Sequence, residues 1–449
     1  MKGRSCLRDF FHYTILSVLG TLGVSCYILA DTFFVSRGLG TNGLTALNLA
    51  IPVYNFIHGT GLMLGMGGAT KFSVYKSQGR KEEVDQVYTN TVYLAVLFSV
   101  IFFLFGFFFA EPLAILLGAD KDVLEMTDTY LRWLLLFSPA FILNDVQLCF
   151  VRNDKSPQLS MIAMLIGSFA NIVLDYIFIF PMGMGIFGAI FATGLSPVIS
   201  IAAMSPHWIK RKNTFHLVRA KIRTDIMGQE LSLGFPSLIA QTASGIVMIT
   251  FNAIILKLEG NTGVAAYGVI ANISLVIVAV YTGIAQGIQP LISRFYATGD
   301  GEQVQRVWHY AVITVMILSC AVYFCIFVFA GPVTAVFNNE NNAGLQQIAV
   351  MGLKLYFISN PFVGYNIILA IFFTSIERAL PAQILSVLRG LVLIIPVAFL
   401  LSAVWNMTGV WLAYPITEAL AALLGFVMYV FALTSRNRQE RKSIDRGSR

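Results

Sequence analysis

The sequence is poor in charged residues. Asp, Glu, Lys and Arg make up only 12% of its 449 residues, against roughly 25% in soluble globular chains. Hydrophobic residues make up 57%, so the chain cannot cover itself with a water-facing surface, and its natural solvent is lipid. A soluble globular fold is therefore excluded, and few stretches are left that could form a domain outside the membrane.

Motifs for chemistry on a substrate are also missing. The sequence contains no Walker A motif, HExxH, DDxxD or nucleophile elbow. A G-x-G-x-x-G match from Gly183 to Gly188 follows no strand and joins two long apolar runs, which indicates a tight turn. We therefore expect no enzyme activity, no ATP-driven step and no cofactor.

The five cysteines form no C-x-x-C pair and have no histidine at ligand spacing. Four of them lie inside apolar runs. We interpret all five as packing residues, namely Cys6, Cys26, Cys149, Cys320 and Cys325.

Long apolar runs recur along nearly the whole chain. A helix needs roughly 20 apolar residues to cross a hydrocarbon layer of about 30 Å. The pattern predicts an all-α integral membrane protein with twelve transmembrane helices. Their approximate bounds are 10–36, 45–70, 88–111, 129–151, 158–181, 185–209, 232–257, 264–290, 307–332, 347–374, 380–402 and 407–433.

The net charge of +7 is best explained by membrane orientation rather than by binding of nucleic acid. Most of the 30 Lys and Arg residues fall in alternate loops and the carboxyl-terminal tail, as the positive-inside rule requires. The first run follows basic residues without a cleavage site for a signal peptide. We predict a multi-pass protein of the plasma (inner) membrane with both termini in the cytoplasm.

The chain contains an internal repeat. Shifting it by 220 residues aligns the two halves without a gap over ten matching pairs, from Gly40 and Gly260 to Val87 and Val307. A six-helix unit repeats with the same orientation, so a pseudo-two-fold axis along the membrane normal should relate two lobes. We predict an amino-terminal lobe at 1–209, a cytoplasmic linker at 210–231, a carboxyl-terminal lobe at 232–433 and a basic cytoplasmic tail at 434–449.

Acidic residues inside the membrane are few, and each is a functional candidate because an ionised carboxylate there costs on the order of 2.5 to 3.5 kcal/mol. Asp31 and Asp175 lie at similar depth near the outer ends of helices 1 and 5. Asn171 lies one turn before Asp175, and Thr193 falls at comparable depth on helix 6. These four can bind a proton or surround Na⁺ with oxygen atoms. The competing interpretation is that Asp31 caps its helix or meets water, while the amide and hydroxyl groups bond backbone.

Other polar or soft side chains are candidates for substrate contacts. Asn144, Asp145 and Gln147 could line an inward-opening cavity or simply face water. Ser168, Met63 and Met66 are further candidates, the methionines because thioethers form adaptable surfaces, although membrane methionines usually pack or face lipid. Glu418 and Gln241 have no visible partner and are interpreted as groups that hydrogen-bond between helices.

Several stretches resemble the multidrug and toxic compound extrusion (MATE) family. They are Ala30 to Gly40, Asn171 to Tyr176, Met184 to Thr193, and Gly409 to Pro415. The stretch from Leu385 to Arg389, together with the tryptophan-containing one, looks like the MepA-like group of the DinF-like branch.

The resemblance implies two six-helix lobes around a cavity that opens alternately to either side, with drug leaving as Na⁺ or H⁺ enters. Its cation site matches Asp31, Asn171, Asp175 and Thr193 here. The acids that the NorM branch uses in helices 7 and 10 have no counterpart, since Glu377 falls at a helix end. Glu377 and Arg378 stand where the family more usually has a turn of the Gly-Lys type. We assign no functional consequence to this difference.

The functional hypothesis is secondary active efflux of organic, mostly cationic compounds, with cation and substrate competing in the amino-terminal lobe. The alternative is flipping of a lipid-linked oligosaccharide or related lipid. That activity needs basic residues within the spans to shelter a pyrophosphate, and only Arg389 lies well inside one. A carboxylate cluster serves Na⁺ and H⁺ alike, so both coupling ions stay open.

Overall fold

The protein is described from a computed structural model that covers residues 2–338 and 342–447, with side chains from residue 6 to 338 and from 342 to 431. Within these ranges the chain is helical and contains no strand. The helices run Lys2–Ser77, Lys81–Leu116, Leu124–Leu136, Ser138–Asn153, Pro157–Ile179, Gly185–Met204, Pro206–Ile209, Thr224–Ala297, Gly301–Phe337, Ala343–Tyr356, Asn360–Ser375, Ala379–Val387 and Ile394–Gly447, with a 3₁₀ turn at Phe357–Ser359 and a π turn at Leu388–Val392.

Three of the helices are far longer than one membrane crossing and reverse direction midway. Lys2–Ser77 is interrupted at Gly40, whose φ of 68° and ψ of −157° are not helical. The hydroxyls of Tyr27 and Tyr54 lie 2.6 Å apart, although a continuous helix would separate them by about 40 Å at 1.5 Å per residue. Two antiparallel spans therefore meet at Gly40.

The same reversal occurs at Gly260, with φ 61° and ψ −153°. A side chain is strained at such φ values, which glycine adopts freely. Gly40 and Gly260 are 220 residues apart, so the sequence repeat is retained in the backbone conformation of the two turns.

The spans number twelve in the part of the chain that the structure describes. Eight helical stretches are apolar and long enough to cross a membrane, and a ninth crossing consists of two helices that meet at 47°. Three of these stretches contain two spans each, which confirms the predicted count. We number the spans TM1 (2–39), TM2 (41–77), TM3 (81–116), TM4 (124–153), TM5 (157–179), TM6 (185–204), TM7 (224–259), TM8 (261–297), TM9 (301–337), TM10 (343–375), TM11 (379–404) and TM12 (407–447).

The spans form two lobes, TM1–TM6 and TM7–TM12. The lobes pack tightly at the end of the molecule that carries the connecting segment 210–223, which we call the linker end. There Phe10 of TM1 is fully buried in the core of the second lobe, beside Ile288. A Cβ at Gly287 would lie 2.6 Å from the Cα of Thr14, so the backbones of TM1 and TM8 touch.

The packing between the lobes becomes looser toward the opposite end, the far end, where Gly40 turns the chain. Along the TM2 and TM7 contact, a Cβ at Gly234 would lie 1.8 Å from the carbonyl oxygen of Met63. A Cβ at Gly59 would lie 3.1 Å from its nearest neighbour, and one at Gly245 would come no closer than 3.7 Å. The contact between TM2 and TM7 is therefore tightest at Gly234 and becomes looser toward Gly245.

The connecting segment is bound to the first lobe by several side chains, of which Asp154 is the most deeply buried carboxylate. TM7 begins at Thr224 rather than near residue 232, so the non-helical segment is shorter than the sequence indicated. Asp154, in the turn after TM4, receives hydrogen bonds from Lys76, from His207 at 2.8 Å and from the backbone amide of Thr214 at 2.8 Å. Burial alone would raise the pKa of Asp154, but these donors outweigh it and lower that pKa below its ordinary value.

The prediction that all five cysteines pack inside was wrong for three of them. Cys6 and Cys149 are buried, whereas Cys26, Cys320 and Cys325 are exposed. In a membrane protein, apolar side chains can face lipid, so an apolar run does not tell which face of its helix is buried.

Candidate functional site

The four residues predicted to bind a cation come together inside the first lobe. TM1 contributes Asp31, TM5 contributes Asn171 and Asp175, and TM6 contributes Thr193. All four are buried, Asn171 and Asp175 completely. The amide nitrogen of Asn171 donates to the hydroxyl of Thr193 at 3.3 Å, and the carboxyls of Asp31 and Asp175 lie close enough to share a hydrogen bond.

Close packing of TM5 against TM6 fixes this arrangement. A Cβ at Gly167 would lie 3.2 Å from the carbonyl oxygen of Ser196, and the Ser196 hydroxyl donates to the Gly167 carbonyl oxygen at 2.9 Å. Asn171 and Asp175 follow one and two turns later on TM5 and lie on the same face, because residues four apart are neighbours on a helix. The small residues thus bring the amide and the carboxyl against TM6.

The buried oxygen atoms of the cluster are mostly unsatisfied. Asp31 Oδ1, Asn171 Oδ1 and both carboxyl oxygens of Asp175 have no hydrogen-bond donor in the structure. In residues 6–338 and 342–431, neither carboxylate forms an ion pair with Lys, Arg or His. Buried acceptors of this kind cost free energy unless a proton or a cation satisfies them. Several oxygen atoms around one point also fit the ligand preference of a hard cation such as Na⁺.

Sequence reasoning missed Tyr130 of TM4, which belongs to this cluster. Its hydroxyl bonds Thr193, and the ring lies within electrostatic range of both Asp31 and Asp175. Tyr130 is almost fully buried. A polar hydroxyl in the apolar stretch of TM4 was the available signal, but its neighbours on TM1, TM5 and TM6 cannot be deduced from spacing along one helix.

The six predicted substrate contacts have different surroundings. Unsatisfied oxygen atoms remain on Asn144, Asp145, Gln147 and Ser168. The amide nitrogen of Gln147 donates to the Tyr88 hydroxyl at 2.7 Å, which ties it to TM3. The two methionines, Met63 and Met66, are buried in the core of the first lobe.

Asp145 has a partner that the sequence did not indicate. Its Oδ2 lies 2.8 Å from Nδ1 of His58 on TM2. A Cβ at Gly61 would lie 2.5 Å from the same oxygen, so the backbone of TM2 packs directly on this carboxylate. The two residues are 87 positions apart, and only the folded helices bring them together.

The polar residues inside the second lobe pair with one another. The guanidinium of Arg389 donates to Glu418 Oε1 at 3.1 Å and 2.9 Å, and the amide of Asn366 donates to Oε2 at 2.7 Å. This confirms the prediction that Glu418 hydrogen-bonds between helices. Because its charge is compensated, Glu418 differs from Asp31 and Asp175, which have no basic partner.

An ion pair and an amide network join the two lobes at the linker end. Lys71 of TM2 lies 2.6 Å from Glu377, in the turn between TM10 and TM11. Nearby, Asn153 donates to Gln289 at 2.8 Å, and Gln289 donates to Thr70 at 3.0 Å. The sequence pattern indicates no role for Glu377, whereas the structure places it in a contact between the lobes.

Comparison with known proteins agrees with this architecture. The MatE family profile matches residues 17–177 and 236–400, one segment in each lobe. The multidrug export protein MepA of Staphylococcus saprophyticus is 24% identical over 436 residues, covering 96% of this chain and 95% of that protein.

Solved structures share the fold over nearly the whole chain. A transporter of the MOP superfamily from Pyrococcus furiosus aligns with a TM-score of 0.89 at 25% identity, covering 97% of this chain and 98% of the other. An outward-facing multidrug resistance MATE family transporter aligns with a TM-score of 0.90 at 24% identity, covering 98% and 99%. Since the family profile covers most of the chain and both lobes, the protein belongs to the MatE family of membrane transporters.

Proposed function

We propose that this protein exports small organic, mostly cationic compounds across the plasma membrane in exchange for H⁺ or Na⁺. The coupling ion binds Asp31, Asn171, Asp175 and Thr193. The observation that carries the proposal is the set of buried oxygen atoms on Asp31, Asn171 and Asp175 that lack any donor.

The chemistry of that cluster favours exchange of cations. Two carboxyls close to each other in a low-dielectric interior cannot both stay ionised without a compensating charge. A proton, a sodium ion or an organic cation can each supply it. Binding of one then displaces another, and a cation that prefers one conformation of the lobes shifts the equilibrium toward that state.

We further propose that the linker end faces the cytoplasm, with both termini on that side. The segment 210–223 and the other polar loops at this end carry most of the Lys and Arg residues, in keeping with the positive-inside rule. The tight contacts at the linker end and the looser packing toward the far end then correspond to a state that opens to the outside. In that state the ion site, which lies toward the far end, can be loaded from outside.

Among the candidate substrate contacts, we propose that Asp145, Asn144 and Ser168 bind the organic cation. Each keeps an unsatisfied oxygen. Gln147 Oε1 is unsatisfied too, but its amide nitrogen is held by the Tyr88 hydroxyl. Met63 and Met66 are buried among core side chains, so their contribution is to shape the wall around the bound cation.

The structure lends less support to flipping of a lipid-linked oligosaccharide. That function needs a basic residue free to bind pyrophosphate. Arg389, the guanidinium well inside a span, is neutralised by Glu418 at 2.9 Å. The carboxyls of Asp31 and Asp175, by contrast, have no basic partner, and such groups suit a cation.

The test is efflux of a fluorescent lipophilic cation from liposomes that contain the purified protein, under an imposed H⁺ or Na⁺ gradient. Native protein should respond to one gradient, which names the ion. Asp175→Asn should lose the response, while Asp128→Asn should keep it, because Asp128 is a more exposed carboxylate paired with Arg132 at 3.0 Å. If neither gradient drives native efflux, cation antiport is wrong. If Asp175→Asn transports like the native protein, the site is wrong.

A further inference from the structure

A second titratable cluster lies in the first lobe, nearer its centre than the ion site. His58 Nδ1 lies 2.8 Å from Asp145 Oδ2, and 24% of the His58 side chain is exposed, compared with 6% of the Asp145 side chain. Asp145 Oδ2 has no well-directed hydrogen bond, so the contact with His58 is chiefly electrostatic. A buried carboxylate is thus held against a partly accessible imidazole.

Two tyrosines connect this cluster with the ion site. The Tyr54 ring stacks on His58 with 5.9 Å between centroids and an angle of 13°. The Tyr54 hydroxyl lies 2.6 Å from that of Tyr27, and Tyr27 lies one helical turn before Asp31 on TM1. Both tyrosines are within electrostatic range of Asp31 and of Asp145. The hydrogen-bonded tyrosine pair therefore lies between the two acidic sites.

The charged and titratable groups around the pair are few. TM1 contributes Tyr27 and Asp31, and TM2 contributes Tyr54. On TM4, Cys149 and Arg152 are within electrostatic range of Asp145. Arg152 is buried about two turns away from Asp145, and its guanidinium contacts the sulfur of Met164 at 4.0 Å. Arg152 therefore does not pair with Asp145, whose direct partner is His58.

We propose that His58 and Asp145 form a second cation-exchange site, at which a proton on His58 and an organic cation compete for the charge of Asp145. Histidine gains or loses a proton near neutral pH. When His58 is neutral, the pair has a net charge of −1 and can bind a substrate cation. When His58 is protonated, the pair is neutral and no longer favours a second positive charge.

The inference rests on the proposed export of organic cations. It adds a second proton-binding group, His58, which is separate from the ion site. An exporter benefits from this arrangement because acid on the side of release weakens substrate binding, while the more alkaline cytoplasm restores it. For a histidine with an ordinary pKa of about 6.5, competition between proton and ligand weakens binding on the order of tenfold between pH 8 and pH 5.5.

The experiment measures binding of tetraphenylphosphonium, a permanent cation without a titratable group, to the full-length protein in nanodiscs. Calorimetry in sodium-free potassium buffers of different ionisation enthalpy counts the protons released per ligand bound from pH 5.5 to pH 8.5. The measurements are made in an Asp31→Asn, Asp175→Asn background, in which the ion site no longer titrates. Native His58 in this background should release protons on binding at the pH values where its imidazole is protonated, with affinity on the order of tenfold weaker at pH 5.5 than at pH 8.

His58→Gln should abolish this proton release and reduce the change in affinity to less than about twofold, since glutamine has no proton to exchange. His309→Gln is the matched control, because His309 is an exposed histidine of TM9 that contacts the Gln305 carbonyl oxygen at 2.6 Å. Asp145→Asn should weaken binding at high pH, and it replaces His58→Gln as the test if that variant does not fold. The inference is overturned if the variant that folds has the same proton release and affinity profile as its parent. Failure of the native protein to bind the cation at any pH would instead overturn the proposed function itself.

Discussion

Lys71 and Glu377 belong to different lobes, and their side chains meet 2.6 Å apart at the linker end. The ammonium is mostly buried and the carboxylate is 26% exposed. This ion pair must break whenever the lobes separate at that end. It therefore contributes to the free-energy difference between the observed state and one in which the linker end is open.

We expect Glu377→Gln to populate the state that is open at the linker end. A partly exposed ion pair contributes on the order of 1 kcal/mol, which corresponds to about a fivefold change in population. Spin labels at Gln78 and Thr298, two exposed residues in corresponding turns of the lobes, should show a larger long-distance fraction in a background without the native cysteines. Glu83→Gln is the control, since it breaks a pair with Arg80 inside one lobe. Identical distance distributions for Glu377→Gln and native protein would rule out the role of this contact.

Gly234→Ala should also oppose closure of the linker end, by steric overlap. The new Cβ would lie 1.8 Å from the Met63 carbonyl oxygen, and overpacking of this kind typically costs about 1 to 3 kcal/mol. The cost applies where TM2 and TM7 touch and is relieved when they part, so the same pair of labels should report opening and transport should slow. Gly245→Ala is the matched control, since its Cβ would come no closer than 3.7 Å to a neighbour. Equal label distances and equal transport rates in the two alanine variants would show that the TM2 and TM7 contact is not tighter at Gly234 than at Gly245.

Asp154→Asn should release the connecting segment from the first lobe. The substitution removes the charge that Lys76 and His207 bind, and loss of one partner from a buried ion pair costs about 3 kcal/mol. Trypsin should then cut faster at the basic residues of segment 210–223. Asp128→Asn should have little effect, because Asp128 pairs with Arg132 on its own helix and not with the segment. Unchanged cleavage in Asp154→Asn would show that the segment is held by other contacts.

The same carboxylate sets an acid limit on stability. Because the pKa of Asp154 is lower in the folded protein than its ordinary value, which is about 3.9, its ionised form stabilises the fold. That contribution is complete above about pH 5 and is lost as pH falls through the lowered pKa. Thermal unfolding of native protein and Asp154→Asn should therefore differ most at neutral pH and converge below about pH 4. A constant difference across this range would contradict the assignment.

Removing Arg389 should destabilise the second lobe by leaving Glu418 uncompensated. We expect Arg389→Met to lower the free energy of unfolding by about 3 to 5 kcal/mol, as for other broken buried pairs. Combining it with Glu418→Gln should recover much of the loss, since the neutral amide still bonds Asn366. The measurement is thermal unfolding in detergent. Additive losses in the double variant would show that the two side chains do not act as a pair.

The sequence predicted the fold because lipid imposes a simple pattern, in which each span is a long apolar run. It also located the cluster of Asp31, Asn171, Asp175 and Thr193. Helical spacing placed two of these on one face, and depth in the membrane aligned the others.

Contacts between helices distant in sequence could not be predicted in the same way. His58 and Asp145, or Lys71 and Glu377, are joined by the rotation and tilt of whole helices, which periodicity does not specify. Arg389 and Glu418 were both noted in the sequence, yet Arg389 lies in the π turn Leu388–Val392. Such a turn shifts the helical phase, so the face of TM11 that meets TM12 was not predictable from 3.6-residue spacing.

The repeated glycine turns at Gly40 and Gly260 show that both lobes retain one scaffold, yet the scaffold has been put to unequal use. The position equivalent to Asp31, 220 residues later, is Phe251. It is fully buried, and its ring stacks on Tyr267 with centroids 5.6 Å apart. Where one copy holds a buried carboxyl without a basic partner, the other holds an aromatic contact. Under the proposed mechanism, a change of protonation or ion occupancy at this position therefore acts directly on one lobe only, and the two copies of the scaffold contribute unequally to transport.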